Sequence, residues 1–355
     1  MSDEPRREAL VTGTADGPAD HERREDDRPQ PHEQVVPITA DPAGTTRAAA
    51  REQIPVRIQA EEPPPGPAEL GEPMVLVGKP RLASRPGAFT AEPDAPPDSV
   101  IDGGDLEGLT VRAASLRGDE HRYYADPRQD AFAIGPLVAG KNATALLVCV
   151  ADGVGSQPKS HLGSAAVTRF LRQEITPYAE KLLDPTAESG LRKRCAEVTA
   201  HVSQRLEHEA AQRQVPARAL STTLVAALIG PDTGGGHHRA VLLAVGDSPA
   251  FMLRDGQFEQ IFGQSAAGEL AGAATEALPS RGAEPVVMVA DLGPGDVLVL
   301  CTDGLGNPMA NSSVSDQLVK WWQGGPPSLP AFFWQMSFRA QSFGDDRTAV
   351  CVWIG

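Results

Sequence analysis

Carboxylates recur in this sequence at the ends of apolar runs. Asp152 follows "LLVCVA", Asp303 follows "VLVLCT", Asp247 lies in "LLAVGDSPAF", Asp345 and Asp346 precede "RTAVCVWI", and Asp130 opens "DAFAIG". Two of these junctions share one grammar: "VCVADGVG" and "VLCTDGLG" each run from a Cys-containing apolar stretch through a small residue to Asp, Gly, apolar, Gly. A single carboxylate at a strand end is an ordinary cap or turn residue. If the strand ends converge, however, several carboxylates in a small volume repel one another and their ionised forms are disfavoured. A hard divalent cation resolves that conflict. Oxygen ligands without His or Cys suit Mg²⁺ or Mn²⁺ rather than Zn²⁺. The glycines after Asp152 and Asp303 permit a sharp turn and close approach of a carbonyl to an ion. Two such cations can activate water and neutralise a phosphoryl group. Hydrolysis of a phosphate ester is the leading chemistry, and hydrolysis of other phosphorylated compounds the next.

The elements that must hold these residues are legible as hydrophobic periodicity. "LTVRAASLRG", "DAFAIG" and "TALLVCV" read as strands, the last apolar throughout and so interior. Leu162, Ala166, Phe170 and Ile175 mark one face of a helix, and Leu191, Cys195, Val198, Val202 and Leu206 mark a second, longer one. "STTLVAALIG" and "RAVLLAVGD" are strands joined through "PDTGGG". "AFMLRDGQFEQI" is a hairpin around Asp255-Gly256. "PVVMVADLGPGDVLVLCTDGL" reads as another, with Gly293-Pro294-Gly295 at its tip. Residues 264–284 read as a loop, helical segments follow at 313–322 and 328–341, and "RTAVCVWI" closes the chain. Strands on both sides of a helix pair, joined mostly by hairpins, predict α+β architecture with antiparallel sheets.

Composition divides the chain. Of 32 prolines, 17 fall in residues 1–100, where Phe89 is the sole aromatic residue. Such a segment buries too little apolar surface to offset its ordering entropy. Residues 1–103 are therefore expected to be a largely disordered, acidic arm, and residues 104–355 the folded domain. Apolar islands such as "PMVLVG" (73–78) could dock on that domain. The arm is either a passive tail or a tether for a partner. The net charge of −15 argues against a nucleic-acid binder, which needs a clustered basic face. No apolar run reaches the ~18 residues of a membrane span, and the first residues carry no apolar signal core. A cytoplasmic monomer with four free, buried cysteines is the expectation.

In order along the chain, "GDEHRYYADPRQDAF", "VADGVGS", "STTLVAAL", "AVGDSPAFMLRDG", "VLVLCTDGL" and "GDDRTAVCVWI" resemble the metal-dependent protein phosphatases of the protein phosphatase 2C type, in their compact bacterial form. The likeness covers residues 109–355. It implies a four-layer α/β/β/α sandwich of two antiparallel sheets flanked by helices, with a metal cleft at one end. It implies removal of phosphate from phosphoserine and phosphothreonine by a metal-activated water, with no covalent nucleophile from the protein. Two Mn²⁺ or Mg²⁺ ions are implied, with a weaker third. By the same resemblance Asp152 and the carbonyl of Gly153, Asp303 and Asp345 are ligands, Asp346 stands where Asn is frequent, Asp130 matches an early acidic position, and Asp247 helps hold the third ion. A phosphorylated protein, opposite a Ser/Thr kinase, would be the partner.

The pattern also departs from that family. Gln129 replaces a common Glu, Val154 a His proposed as general acid, Ser156 a Gly, and Asn307 an Asp of the third site. His121 and His161 are the candidate acids. Arg122, chosen over Arg117 and Arg128, is the candidate phosphate-binding arginine, a role His121 could share. These departures keep a second reading open, in which a weak or inactive phosphatase-like module serves as a partner-binding, regulatory protein.

Overall fold

The computed structural model describes residues 71, 73–79, 89–139, 144–263, 277–280 and 282–355. They fall within one compact unit, Ala60–Gly355. In chain order the strands and helices are β1 (Val75–Val77), β2 (Ser99–Leu106), β3 (Leu109–Leu116), α1 (Asp119–Tyr124), β4 (Ala131–Val138), β5 (Thr144–Ala151), α2 (Ser160–Ile175), α3 (Ala179–Leu183) and α4 (Leu191–Gln212). The second half adds β6 (Leu224–Asp232), β7 (His238–Val245), β8 (Ala250–Arg254), β9 (Gln257–Phe262), β10 (Val286–Leu292) and β11 (Val297–Cys301). It ends with α5 (Asp303–Met309), α6 (Ser312–Trp322), α7 (Leu329–Met336), β12 (Arg339–Ala340) and β13 (Arg347–Ile354).

Two antiparallel sheets stack, one in the order β10-β7-β6-β5-β4 and the other β2-β3-β13-β11-β8-β9. Side-chain alternation along each strand builds three apolar layers. Leu146, Val148 and Val150 of β5 face the opposite sheet, where Val350, Val352 and Ile354 of β13 meet the same core. Leu147, Cys149 and Ala151 turn outward to α2 and α4 through Phe170, Leu171, Val198 and Val202. On the far side Ala349, Cys351 and Trp353 pack under α6 and α7 against Trp322 and Phe332. Strands buried on both faces have no polar side, which explains runs that are apolar throughout. The architecture is therefore the expected four-layer helix–sheet–sheet–helix sandwich. All four cysteines are free and buried. No helix among the described residues is long and apolar enough to cross a membrane.

Two features differ from the sequence reading, and one open possibility is realised. β10 and β11 are not a hairpin: β10 pairs with β7 in one sheet and β11 with β13 and β8 in the other. Gly293-Pro294-Gly295 is thus a corner between sheets. Hydrophobic pattern and turn residues look alike for a hairpin and a sheet-switching corner. β2 crosses the boundary drawn at 103/104 and pairs with β3 along its whole length. Its "SVIDGGDL" faces solvent enough to escape an apolar-pattern reading. The island at 73–78 does dock: β1 pairs in parallel with β12, and the amides of Arg339 and Gln341 donate to the Met74 and Val77 carbonyls at 2.8 and 2.7 Å. Most of the loop predicted at 264–284, and residues 1–70 of the expected arm, lie outside the described residues.

Candidate metal-dependent active site

Register brings the strand ends together. Ala131 of β4 pairs with Ala151 of β5, so Asp130 precedes the one and Asp152 follows the other at the same edge. In the facing sheet Cys301 pairs with Ala349, and Leu116 with Arg347. That places Asp303, the Asp345-Asp346 pair and Gly118 at one end. Asp247 follows β7 on the neighbouring strand end. The result is a cleft of about 310 Å³ whose wall includes Asp152, Gly153, Asp247, Asp303 and Asp345, with His121 and Gln129 beside them.

Each ligand candidate is held by its backbone. The Asp152 amide receives no strand partner but donates to Thr223 Oγ1 at 3.0 Å, while its carbonyl accepts from the Thr223 amide and the Thr222 hydroxyl, each at 2.8 Å. Gly153 has no room for a side chain: a Cβ would lie 2.8 Å from the Gln129 carbonyl oxygen and 2.9 Å from Ser160. Asp303 opens α5, and Asn307, one helical turn on, donates its Nδ2 to Asp303 Oδ2 at 3.3 Å. A donor thus faces Asp303 where the family pattern often supplies a further carboxylate.

Asp130 and Asp346 lie off the cleft wall, both buried. Asp130 Oδ2 accepts from Thr302 Oγ1 at 2.8 Å. Asp346 accepts from the Gly118 amide at 2.7 Å and the Gln129 amide at 2.5 Å, and lies 2.8 Å from His121 Nδ1. His121, Asp345 and Asp346 still offer ligand atoms within 4.8 Å of one another. His161 is buried, which lowers its pKa, and lies away from the cleft wall. Arg122 is not among the residues of the cleft wall. Its guanidinium reaches Asp98 at 2.8 Å and Asp119 at 3.6 Å in an adjoining groove. Arg128 is a structural group whose Nη1 bonds Ser115 and the Asp130 carbonyl.

Sequence reasoning missed the residues that hold the ligands. Thr302, Thr348 and Ser115 form a buried hydroxyl chain behind Asp130: Thr348 donates its amide to Thr302 at 3.1 Å and its hydroxyl lies 2.6 Å from Ser115. Arg347 is buried and donates to the carbonyls of Gly304 (2.9 Å), Met336 (3.0 Å) and Phe338. The signal was a lone hydroxyl or cation inside an otherwise apolar run, such as Thr302 in "VLVLCTDG", since a buried polar group must find partners.

The carboxylates are strained electrostatically. Burial, then the charges of Asp130 and Asp303, push Asp152 well above the usual carboxylate range. Burial and Asp247 raise Asp303, and burial with Asp346 and Asp303 raises Asp345 to about 6. His121 moves the other way: burial opposes its charge, but the bond to Asp346 and the fields of Asp346, Asp345 and Asp130 outweigh it and raise it to about 9. An all-oxygen donor set with repelling charges and a backbone carbonyl at a position closed to side chains fits a hard divalent cation. A carboxyl raised in the fold binds its proton more tightly folded than unfolded. The fold therefore loses stability as pH rises from the unfolded value of ~4 through about 6. A cation competes with those protons. The thermal shift given by saturating Mn²⁺ should be larger at pH 7.5 than at pH 5, as read by scanning fluorimetry. A shift that is largest at pH 5 would contradict this charge balance.

The model of the family described as protein phosphatase 2C matches residues 117–327, more than half of the chain. The chain belongs to the protein phosphatase 2C family. Members of that family are metal-dependent protein phosphatases, in agreement with the carboxylate cleft. Among solved structures, PppA, a regulatory component of the type VI secretion system in Pseudomonas aeruginosa, is 26% identical over 70% of this chain and 98% of that one, with a TM-score of 0.46. The S. agalactiae serine/threonine phosphatase is 17% identical over 70% of this chain and all of that one, with a TM-score of 0.52, a likeness of fold. The Mycobacterium tuberculosis serine/threonine phosphatase PstP is 19% identical over 69% of this chain and 98% of that one, at a TM-score of 0.47. No curated protein matches the chain.

Proposed function

We propose that this phosphatase removes phosphate from phosphoserine and phosphothreonine on a protein, using Mn²⁺ or Mg²⁺ held by Asp152, the Gly153 carbonyl, Asp303 and Asp345, with Asp247 at a weaker third position. The observation that carries this reading is the convergence of those carboxylates on one cleft, where burial and mutual repulsion leave them in need of a cation. Divalent cations bound there would supply an activated water and neutralise phosphoryl charge. The chain supplies the frame. Asp130 and Asp346 tie the opposing strand ends through Thr302, Gly118 and Gln129. Ser160 fixes the Gln129 side chain at 2.9 Å. Burial opposes the charge of His121, and the carboxylates of Asp346, Asp345 and Asp130 outweigh it. The His121 Nε2 stands 4.0 Å from Asp345 at the cleft wall, where it can bind a phosphoryl oxygen or protonate the leaving alkoxide.

The two thiols that shortly precede Asp152 and Asp303 do not suit covalent catalysis. Burial pushes the Cys149 thiol up to about 12 and Cys301 higher still, so neither is a thiolate at neutral pH. Direct hydrolysis by water fits better than a cysteinyl-phosphate intermediate. The substrate is then a phosphoprotein made by a Ser/Thr kinase. The full chain should release phosphate from a phosphothreonine peptide with Mn²⁺, stop in EDTA, and recover on excess Mn²⁺. Undiminished release in EDTA would overturn the reading.

A further inference from the structure

A second concavity, of about 430 Å³, adjoins the carboxylate cleft, and Asp345 lines both. Phe333 and Phe343 give it an apolar floor. Its wall carries three guanidinium groups, those of Arg117, Arg122 and Arg339, against the carboxylates of Asp98 and Asp119. Asp98 touches two of the three: it lies 2.8 Å from Arg122 and 3.5 Å from Arg117. Arg339 reaches Asp119 at 2.9 Å. Three guanidinium groups thus stand among the carboxylates of Asp98, Asp119 and Asp345 at the edge of the acidic site. Arg347 also lines it but is committed to backbone carbonyls.

Asp98 sits on a segment tied down at its acidic residues. Glu92 pairs with Lys159 at 2.5 Å and Asp94 with Arg213 at 3.4 Å. Half of the Asp98 side chain is exposed, against a quarter of Arg122. Surface ion pairs of this kind are weak and exchange readily for another carboxylate. The concavity on the opposite side of the cleft differs. It opens past Asp247 and Asp303, carries Asp316, and has no Lys or Arg among its described lining residues.

We infer that the arginine groove receives an acidic side chain flanking the phosphorylated residue of the substrate, with Arg122 reading that carboxylate and Asp98 holding its place in the free protein. The inference rests on the phosphatase reading above, and it makes Arg122 a specificity residue. The linings assign the flank: an acidic residue finds guanidinium partners on the arginine side and, of charged groups, only carboxylates on the Asp316 side.

The test is a panel of phosphothreonine peptides with Asp, Asn or Lys at each of three positions on either side, assayed with the full chain and Mn²⁺. An Asp on one flank should raise kcat/KM about three- to fivefold over Asn. That ratio should fall towards one in Arg122→Gln and widen in Asp98→Asn. Because each ratio is taken within one protein, any change in overall catalysis cancels. Peptides hydrolysed without flank preference, or a preference that survives Arg122→Gln, would overturn the inference. Binding of the same peptides in EDTA, by fluorescence anisotropy, separates the two readings. An Arg122-dependent preference in binding without turnover would sustain the groove and sink the catalysis. Equal binding of Asp and Asn peptides would sink the groove.

Discussion

Asp152→Asn is expected to fold normally and to lose Mn²⁺-dependent phosphate release by at least about 10³-fold. The substitution keeps the side-chain shape and the backbone bonds to Thr222 and Thr223, which fix this turn without using the carboxylate. It removes one charge from a cluster in which Asp130, Asp303, Asp345 and Asp346 all raise the Asp152 pKa after burial has done so. Two effects of opposite sign follow. Without added cation the variant should unfold at the same temperature as the parent or higher, because one like charge is gone. With Mn²⁺ the stabilisation seen in the parent should shrink or vanish. Asp303→Asn should behave alike. A variant that loses activity and also unfolds early without cation would place Asp152 among structural groups. A variant that keeps activity would remove it from the site.

Gly304→Ala should damage the fold and the site together. A Cβ at Gly304 would lie 1.8 Å from the Asp346 carbonyl oxygen, a backbone atom with no rotamer to escape into. The Gly304 carbonyl is also the acceptor for Arg347 Nε at 2.9 Å. Relief requires moving the first turn of α5, which begins at Asp303, away from the 345–347 segment. Overpacking of this kind costs about 1–3 kcal/mol, and more where backbone must shift. A fall of several degrees in unfolding temperature, with activity lost beyond the stability effect, is the expected result. Gly324→Ala is the control: nothing lies within 4 Å of its Cβ and no unusual φ is needed. Equal behaviour of the two variants would mean that the junction is looser than the structure shows.

Much of this was legible in the sequence because buried strands and long amphipathic helices announce themselves. "TALLVCV", "RTAVCVWI" and the Leu191–Leu206 stripe stand where their periodicity put them. The Asp255-Gly256 turn does too, with φ of 51° and 73° that suit the two-residue hairpin. Elements whose stability comes from tertiary contact were hidden. α5 is written "DGLGNPM", poor helix material with two glycines and a proline, and is held by Leu305 and Met309 in the core. β1 and β2 lie in proline- and glycine-rich sequence and exist because a neighbouring edge pairs with them. The same limit applied within the site. Carboxylates at strand ends could be picked out and register brings them to one end, but packing leaves Asp152, Asp303 and Asp345 on the cleft wall and buries Asp130 and Asp346 behind it. Arg122 sits close in sequence to His121, yet faces a different concavity.

The most direct test of the cation site is calorimetric titration of the full chain with Mn²⁺ at pH 7.5, in two buffers of different protonation enthalpy. The carboxylate cleft predicts more than one Mn²⁺ per chain, release of protons on binding, and loss of that binding in Asp152→Asn. Absence of binding, or binding indifferent to Asp152→Asn, would contradict it.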